Sequence, residues 1–178
     1  MQSHQIPRFG KFASRLSMSN YSYAEVGATA SAIPDTYTID RNMVQLGSGA
    51  DDWDRAVRAI RSWEMFNIGW TQLCWPDTPI RVGADVAILV RHPGFHSLNG
   101  ARIVYLIDDD GPRKRFGFAY GPLQEHAKSG EERFMVEWDQ NDDSVCYDLM
   151  AFSRPSHLLS RLGFPLARIL QKRFGCRF

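Results

Sequence analysis

Apolar residues recur at every second position through much of the chain after Trp70. Val86, Ile88 and Val90 alternate with Ala87 and Leu89, so both faces of this segment are apolar, which is typical of a central strand. The two-residue period predicts strands at residues 70–75, 84–91, 101–108, 115–121, 131–138 and 145–152. These strands follow one another with short polar turns between them, a pattern that predicts an antiparallel meander.

Two other stretches have the spacing of helices. An apolar stripe begins at Trp53 and ends near residue 66, after a start at which Asp51 and Asp52 suit the positive end of a helix dipole. A second stripe between residues 158 and 170 is interrupted at Gly163 and Pro165, and it predicts a C-terminal helix over residues 165–174. Residues 21–28 and 37–46 are interpreted as strands because they are rich in aromatic and β-branched residues.

The order of these elements predicts an α+β fold with a curved antiparallel sheet of about six to seven strands. One helix follows the first strands, and the C-terminal helix packs on the sheet. This order resembles the helix-grip arrangement of START-like and Bet v 1-like domains, in which the sheet and the last helix enclose an apolar cavity. Residues 1–20 are expected to form a mobile basic tail, and residues 21–178 a single domain.

Composition excludes several classes of partner. The chain has 21 basic and 20 acidic side chains, and this balance provides no field that would gather nucleic acid. No run approaches the roughly 20 apolar residues of a membrane span. Three isolated cysteines fit a reducing compartment better than a disulfide framework, so the expected location is the cytoplasm. No cofactor is expected.

The predicted meander would collect histidines at one end of the molecule. Alternate connections of an antiparallel sheet lie at the same end, so the loops 92–99 and 122–130 and the chain's exit at 153–157 are expected to share a rim. Four histidines and two other polar residues fall in these segments: His92, His96, His126, His157, Glu131 and Arg154. No metal site is expected, because His92 and His96 flank Pro93-Gly94 and no cysteine lies nearby.

The segment 116–134 carries a family resemblance. Gly117-Phe118-Ala119-Tyr120-Gly121 is followed by Leu123, His126, Gly130-Glu131-Glu132 and Phe134, and YAEVGAT, LGSG and FSRP occur at residues 23, 46 and 152. These motifs resemble those of the uncharacterised protein family UPF0548 of bacteria and plants, over roughly residues 21–174. Pro122, Gln124, Glu125 and Ala127 depart from the family pattern, which implies a different loop shape. The resemblance implies a fold and no established chemistry.

Glu132 is the candidate for acid or base chemistry. Strand alternation places Glu131 and Arg133 on one face and Glu132 on the other, with Phe134. A carboxylate in an apolar cavity can act as a general acid or base, with His126 or Tyr120 as partner. The alternative is that Glu132 ties down the loop or pairs with an arginine such as Arg154.

The sequence therefore predicts a domain that binds a small apolar molecule between the sheet and the C-terminal helix. The expected ligand contacts are Tyr120, His126, Glu131, Glu132, Arg154 and Phe118. The alternatives are an enzyme that uses Glu132 or His126 for proton transfer, and a protein-interaction domain with a filled core.

Overall fold

The computed structural model describes residues 6–124 and 129–153. The strands are β1 Thr38–Ser48, β2 Thr71–Leu73, β3 Asp85–His92, β4 Phe95–Asp109, β5 Arg113–Pro122, β6 Gly130–Asp139 and β7 Ser144–Ser153. The helices are α1 Ile6–Met18 and α2 Gly49–Arg61, and short 3₁₀ helices cover Ala28–Ala30 and Glu64–Phe66. None of these helices is long and apolar enough to cross a membrane.

The seven strands form one antiparallel, curled sheet with the order β1-β7-β6-β5-β4-β3-β2. Strands β2 to β7 are sequential neighbours, which confirms the predicted meander, and β1 closes the other side by pairing with β7. The predicted α+β class is confirmed, with α2 following β1. The predicted C-terminal helix lies outside the described residues.

The inner face of the sheet is the one that packs against α2. Here Ile60 and Trp63 meet the inward residues of β5, β6 and β7 in the main core, and the Trp63 and Phe118 rings lie 5.0 Å apart. Trp63 has a left-handed backbone conformation, with φ at 58°, a value that is rare for a bulky residue. This conformation turns the chain out of α2 and sets Met65 and Phe66 against the sheet.

The outer face is covered by α1 and residues 19–37. Leu16 is fully buried in a cluster with Ala87 and Leu123, and a Cβ on Gly100 would lie 2.2 Å from a Leu16 methyl group. Arg102 donates hydrogen bonds to the carbonyl oxygens of Leu16 and Ser19, at 2.8 and 3.0 Å, near the C-terminal end of α1. Within the tail expected at residues 1–20, residues 6–18 form this helix. Leu16, the partly buried Phe12 and Arg102 hold it against the sheet.

The strand predicted at residues 21–28 is wrong. Tyr21 makes a single bridge to Leu123, and the chain then turns into the 3₁₀ helix. The aromatic content of residues 21–28 suits a strand, but the segment crosses the outer face of the sheet. The amides of Gly27 and Thr29 donate to the buried Glu131 carboxylate and not to a neighbouring strand.

The predicted loop at residues 92–99 is a tight turn. Only Pro93 and Gly94 separate β3 from β4, and Gly94 supplies the required positive φ of 86°. Because Ala101 pairs with Pro122 at the end of β5, the first part of β4 continues past it. His96 lies five residues further along β4, about 17 Å of extended strand.

Candidate functional site

A tyrosine and a glutamate pair on the inner face at one end of β5 and β6. Tyr120 lies opposite Glu132 in the strand register, and its hydroxyl donates to Glu132 Oε2 at 2.8 Å. Glu132 therefore lies on the inner face, as strand alternation predicts. Phe118 and Phe134 form the next pair on this face.

Aromatic rings surround this pair. The Tyr120 ring lies 5.4 Å from that of Phe134 and 5.9 Å from that of Phe66, and Phe118 is fully buried beside them. Burial, then the negative charge of Glu132 and its hydrogen bond, raise the pKa of Tyr120 well above its ordinary value. The hydroxyl is consequently protonated at neutral pH, as its hydrogen bond to Glu132 requires.

A second tyrosine hydroxyl lies on the same face. Tyr147 of β7 is 1% exposed, and its hydroxyl has no hydrogen-bond partner within the part of the chain that the structure describes. Burial, followed by the charges of Glu132 and Asp148, raises its pKa well above the ordinary value. The sequence analysis did not select Tyr147, because strand alternation marks it only as a core position.

A small pocket lies between α2 and the sheet, next to Tyr147. Its described lining residues are Leu46, Ala56, Ala59, Ile60, Met65, Val136 and Tyr147, of which Tyr147 alone is polar. The cavity volume is about 10 Å³, so the pocket accommodates about one water molecule.

Glu131 lies on the opposite, outer face and is 1% exposed. Its Oε2 accepts hydrogen bonds from the Tyr23 hydroxyl and the Gly27 amide, both at 2.7 Å, and its Oε1 accepts from the Thr29 amide at 3.0 Å and from the Thr29 hydroxyl. These donors fasten residues 23–29 to the start of β6. The structure thus separates Glu131 from Tyr120 and Glu132 by the thickness of the sheet.

Two arginines and an aspartate extend the outer-face network. Asp148, whose side chain is 3% exposed, accepts hydrogen bonds from Arg41 at 2.7 Å and from Arg133 at 3.0 Å. Arg133 also donates to the Thr29 carbonyl oxygen at 3.2 Å. Sequence analysis missed Asp148, although a lone acid inside an otherwise apolar strand is a signal that it has a buried partner.

The predicted histidine rim is not assembled by the residues that the structure describes. His92 and His96 lie at the tip of the β3–β4 hairpin, where His92 Nε2 is 2.9 Å from Ser97 Oγ and its ring stacks on Phe95. Ile103 pairs with Tyr120, so seven residues of β4, about 23 Å of strand, separate His96 from that level. His126, Arg154 and His157 lie outside the described residues.

Among residues 6–124 and 129–153, no group of three or more His, Cys, Asp or Glu side chains is arranged to hold a metal ion.

Comparison with solved structures shows a similar fold. A hypothetical protein from Helicobacter pylori superposes with a TM-score of 0.50 at 13% sequence identity, covering 89% of this chain and 98% of that protein. A ginseng major latex-like protein 151 from Panax ginseng gives a TM-score of 0.48 at 12% identity, over 78% of this chain and 98% of that one. At these identities the likeness concerns the fold alone.

Comparison with sequences identifies relatives. UPF0548 proteins of Dictyostelium discoideum, Deinococcus radiodurans and Arabidopsis thaliana are 40%, 38% and 31% identical to this chain over 147, 164 and 161 residues. The alignments cover 78%, 85% and 89% of this chain and 68%, 80% and 78% of the relatives. A family model described as "Domain of unknown function (DUF1990)" matches residues 22–178. The resemblance of the segment 116–134 is thereby confirmed, and the chain belongs to the UPF0548 family.

Proposed function

We propose that this domain binds a small, largely apolar molecule on the inner face of its sheet, with Tyr120 and Glu132 as the polar anchor. The observation that carries the proposal is the 2.8 Å hydrogen bond between these two side chains, which is set among the rings of Phe66, Phe118 and Phe134. A few fixed polar groups in a mostly aromatic surface are typical of small-molecule sites.

Other residues enter the proposal in different roles. We place Phe118 in the wall of the site, and His126 and Arg154 as contacts contributed by the loop after β5 and by the chain beyond β7. Glu131 acts indirectly, because its oxygens already accept from Tyr23, Gly27 and Thr29. It holds the outer segment against β6 and so fixes the strand that carries Glu132.

Native mass spectrometry of the freshly purified full chain tests the binding proposal. We expect a retained small molecule in the wild type and its loss in Tyr120→Phe and Glu132→Gln. The matched controls are Tyr105→Phe, whose hydroxyl contacts Thr29 on the outer face, and Glu137→Gln, whose carboxylate pairs with Arg115. Both controls should retain the molecule. Repeated absence of any bound molecule from the wild type would contradict the proposal and favour an interaction domain with a filled core.

The same hydrogen bond favours a second candidate, an enzyme that transfers protons on an apolar small molecule. Glu132 is held in place by the Tyr120 hydroxyl, and a positioned carboxylate on an apolar face can remove or supply a proton. In this mechanism His126 is the partner on the loop. Glu132→Gln and His126→Ala should each abolish turnover of a screened substrate while the folded state is retained, and unchanged turnover in both variants would exclude this mechanism.

A further inference from the structure

The Tyr147 hydroxyl is a buried hydrogen-bonding group for which residues 6–124 and 129–153 provide no partner. The residue is 1% exposed, and within the described residues its hydroxyl has no partner. A buried hydroxyl without a partner costs free energy that hydrogen bonding to a ligand or a water recovers. Tyrosine in a core normally finds such a partner, so this position calls for an occupant that the described residues do not supply.

The place where that occupant fits is the pocket between α2 and the sheet. Among the described residues of its lining, Tyr147 alone has a polar side chain, and the surrounding side chains belong to Leu46, Ile60, Met65 and Val136. The pocket has room for about one oxygen-sized group and is partly open to solvent. Met65 stands in this lining, and methionine adapts its shape to bound molecules at low cost.

The pocket belongs to the same face as the Tyr120–Glu132 pair. The 3₁₀ helix Glu64–Phe66 links the two, because Met65 lines the pocket while the Phe66 ring lies 5.9 Å from that of Tyr120. Glu132 pairs with Ala151 and Val136 pairs with Tyr147, so Tyr147 lies on the same face of the sheet, four residues along β7 from the level of Glu132.

We infer that the pocket beside Tyr147 binds the oxygen-bearing end of a small uncharged molecule, and that the Tyr147 hydroxyl donates a hydrogen bond to a carbonyl-type oxygen of that molecule. This inference rests on the proposed binding function and adds the chemical class of the ligand. The apolar remainder of the molecule packs against the apolar part of the lining, which includes Ile60 and Met65.

Charge decides between an uncharged and an ionised ligand. Among the described residues, the pocket lining contains neither a cationic nor an anionic side chain. An ionised group of either sign would therefore leave water there without a charged partner. A neutral carbonyl oxygen loses less hydration free energy than an ionised group on leaving water, and it gains a hydrogen bond from the Tyr147 hydroxyl.

The test uses two probes of nearly the same shape, cyclohexanone and methylenecyclohexane, in which a carbonyl oxygen replaces a methylene group. The full chain, labelled with ¹³C in methionine and isoleucine methyl groups, is titrated with each probe, and the shifts of the Met65 and Ile60 methyls are followed. We expect both probes to shift these signals. Tyr147→Phe should weaken cyclohexanone binding by about fivefold and leave methylenecyclohexane binding unchanged within about twofold.

Two further variants keep the test decisive. Tyr105→Phe makes the same chemical change on the outer face and should leave the binding of both probes unchanged. Ala59→Leu retains Tyr147 and places a larger side chain, which also favours helix, in the lining of the pocket. It should weaken the binding of both probes, and it tests the site even if Tyr147→Phe does not fold.

The outcomes separate this inference from the proposed function. If Tyr147→Phe weakens neither probe, or both equally, the hydroxyl does not select an oxygen and the inference is wrong. If neither probe shifts the lining methyls in the wild type, the pocket holds a water only, and the inference is again wrong. The binding proposal is judged separately, by the molecule retained in native mass spectrometry and its loss in Tyr120→Phe and Glu132→Gln.

Discussion

Glu131 is a buried carboxylate whose two oxygens are shared among donors from one short segment. Tyr23, Gly27 and Thr29 all donate to it, and these residues are more than 100 positions away in the chain. A carboxylate can only accept, so it matches a set of donors that no neutral side chain matches. The single glutamate thereby holds the outer segment in a conformation that its own sequence does not favour.

Replacement of this carboxylate by an amide tests that role. Glu131→Gln is expected to lower the free energy of unfolding by about 2–4 kcal/mol, because the new amide NH₂ faces a donor and leaves it unsatisfied in a buried site. Urea unfolding followed by tryptophan fluorescence measures the change.

Glu137→Gln is the matched control for this variant. Glu137 lies on the same strand, is partly exposed and pairs with Arg115 at 2.6 Å, so its loss should cost less than about 1 kcal/mol. Equal costs for the two variants would show that the donors of residues 23–29 find water when the carboxylate is lost, and that Glu131 does not fix the segment.

The sequence separates the roles of the two adjacent glutamates only in part. Alternation along a strand correctly assigns Glu131 and Glu132 to opposite faces, since the side-chain period of a strand is two. It does not identify Tyr23 and Thr29 as partners, because hydrogen bonds across a hundred residues depend on the docking of a loop. The role of Tyr147 cannot be predicted for a similar reason, because the local sequence does not show whether a buried hydroxyl has a hydrogen-bond partner.

At the scale of elements, Gly117 is needed where β5 and β6 approach each other. A Cβ at this position would lie 2.1 Å from the carbonyl oxygen of Phe134 and 2.8 Å from the Met135 Cα atom, both of which belong to the backbone of β6. Gly117→Ala is therefore expected to push the two strands apart and to cost about 3 kcal/mol, measured by urea unfolding.

Ala119→Gly is the control, because Ala119 lies two residues further along the same face of β5 and is fully buried. Loss of its methyl group should cost only about 1–2 kcal/mol. If Gly117→Ala were the milder of the two changes, β6 would have room to move and the glycine would not be required for strand contact.

Leu16 is the fully buried side chain in the described part of α1. Leu16 is fully buried over Gly100 and Ala87, whereas Met18, two residues on, is 79% exposed. Leu16→Ala should lower stability by about 2–5 kcal/mol or release the helix, and hydrogen exchange of the amides in Ile6–Met18 should speed up. Met18→Ala should change stability by no more than about 0.5 kcal/mol and leave exchange unaltered.

The element scale also shows where sequence patterns reach their limit. The long alternating strands and α2 are predictable because periodic burial covers many residues in each of them. In α1 the apolar residues Ile6, Phe9, Phe12 and Leu16 are three or four positions apart, a helical spacing that the predicted tail overlooked. The segment after α1 has no such period, and a loop held by one carboxylate, Glu131, leaves too little signal in the local sequence.

At the scale of the whole molecule, the sequential order of strands made the fold predictable, while strand length decided which residues meet. The two histidines of the β3–β4 turn lie at the predicted end of the sheet, yet β4 extends past Pro122 and carries them away from Tyr120. The order of the strands predicts at which end of the sheet each loop lies. The distance between two loops at that end depends on the lengths of their hairpins, which the order does not predict.

Two tyrosines buried on the inner face make the stability of the whole domain sensitive to alkaline pH. The pKa values of Tyr120 and Tyr147 are raised in the folded state, primarily by burial. Below about pH 10 both the folded and the unfolded chain hold these protons, so the tyrosines contribute no pH dependence. Above it the unfolded chain releases them and the folded chain does not, and the free energy of unfolding falls as pH rises.

Each buried tyrosine should contribute a slope of about 1.4 kcal/mol per pH unit above pH 10. Urea unfolding between pH 9 and 12 measures the slope, and absorbance at 295 nm shows whether tyrosinate forms only as the chain unfolds. Tyr147→Phe should reduce the slope by one such increment. A slope that is unchanged in this variant would mean that the Tyr147 hydroxyl ionises in the folded state, which requires water or a cation beside it. Water would then reach the Tyr147 hydroxyl through the pocket next to α2. A neutral carbonyl oxygen would have to displace that water and would gain no additional hydrogen bond.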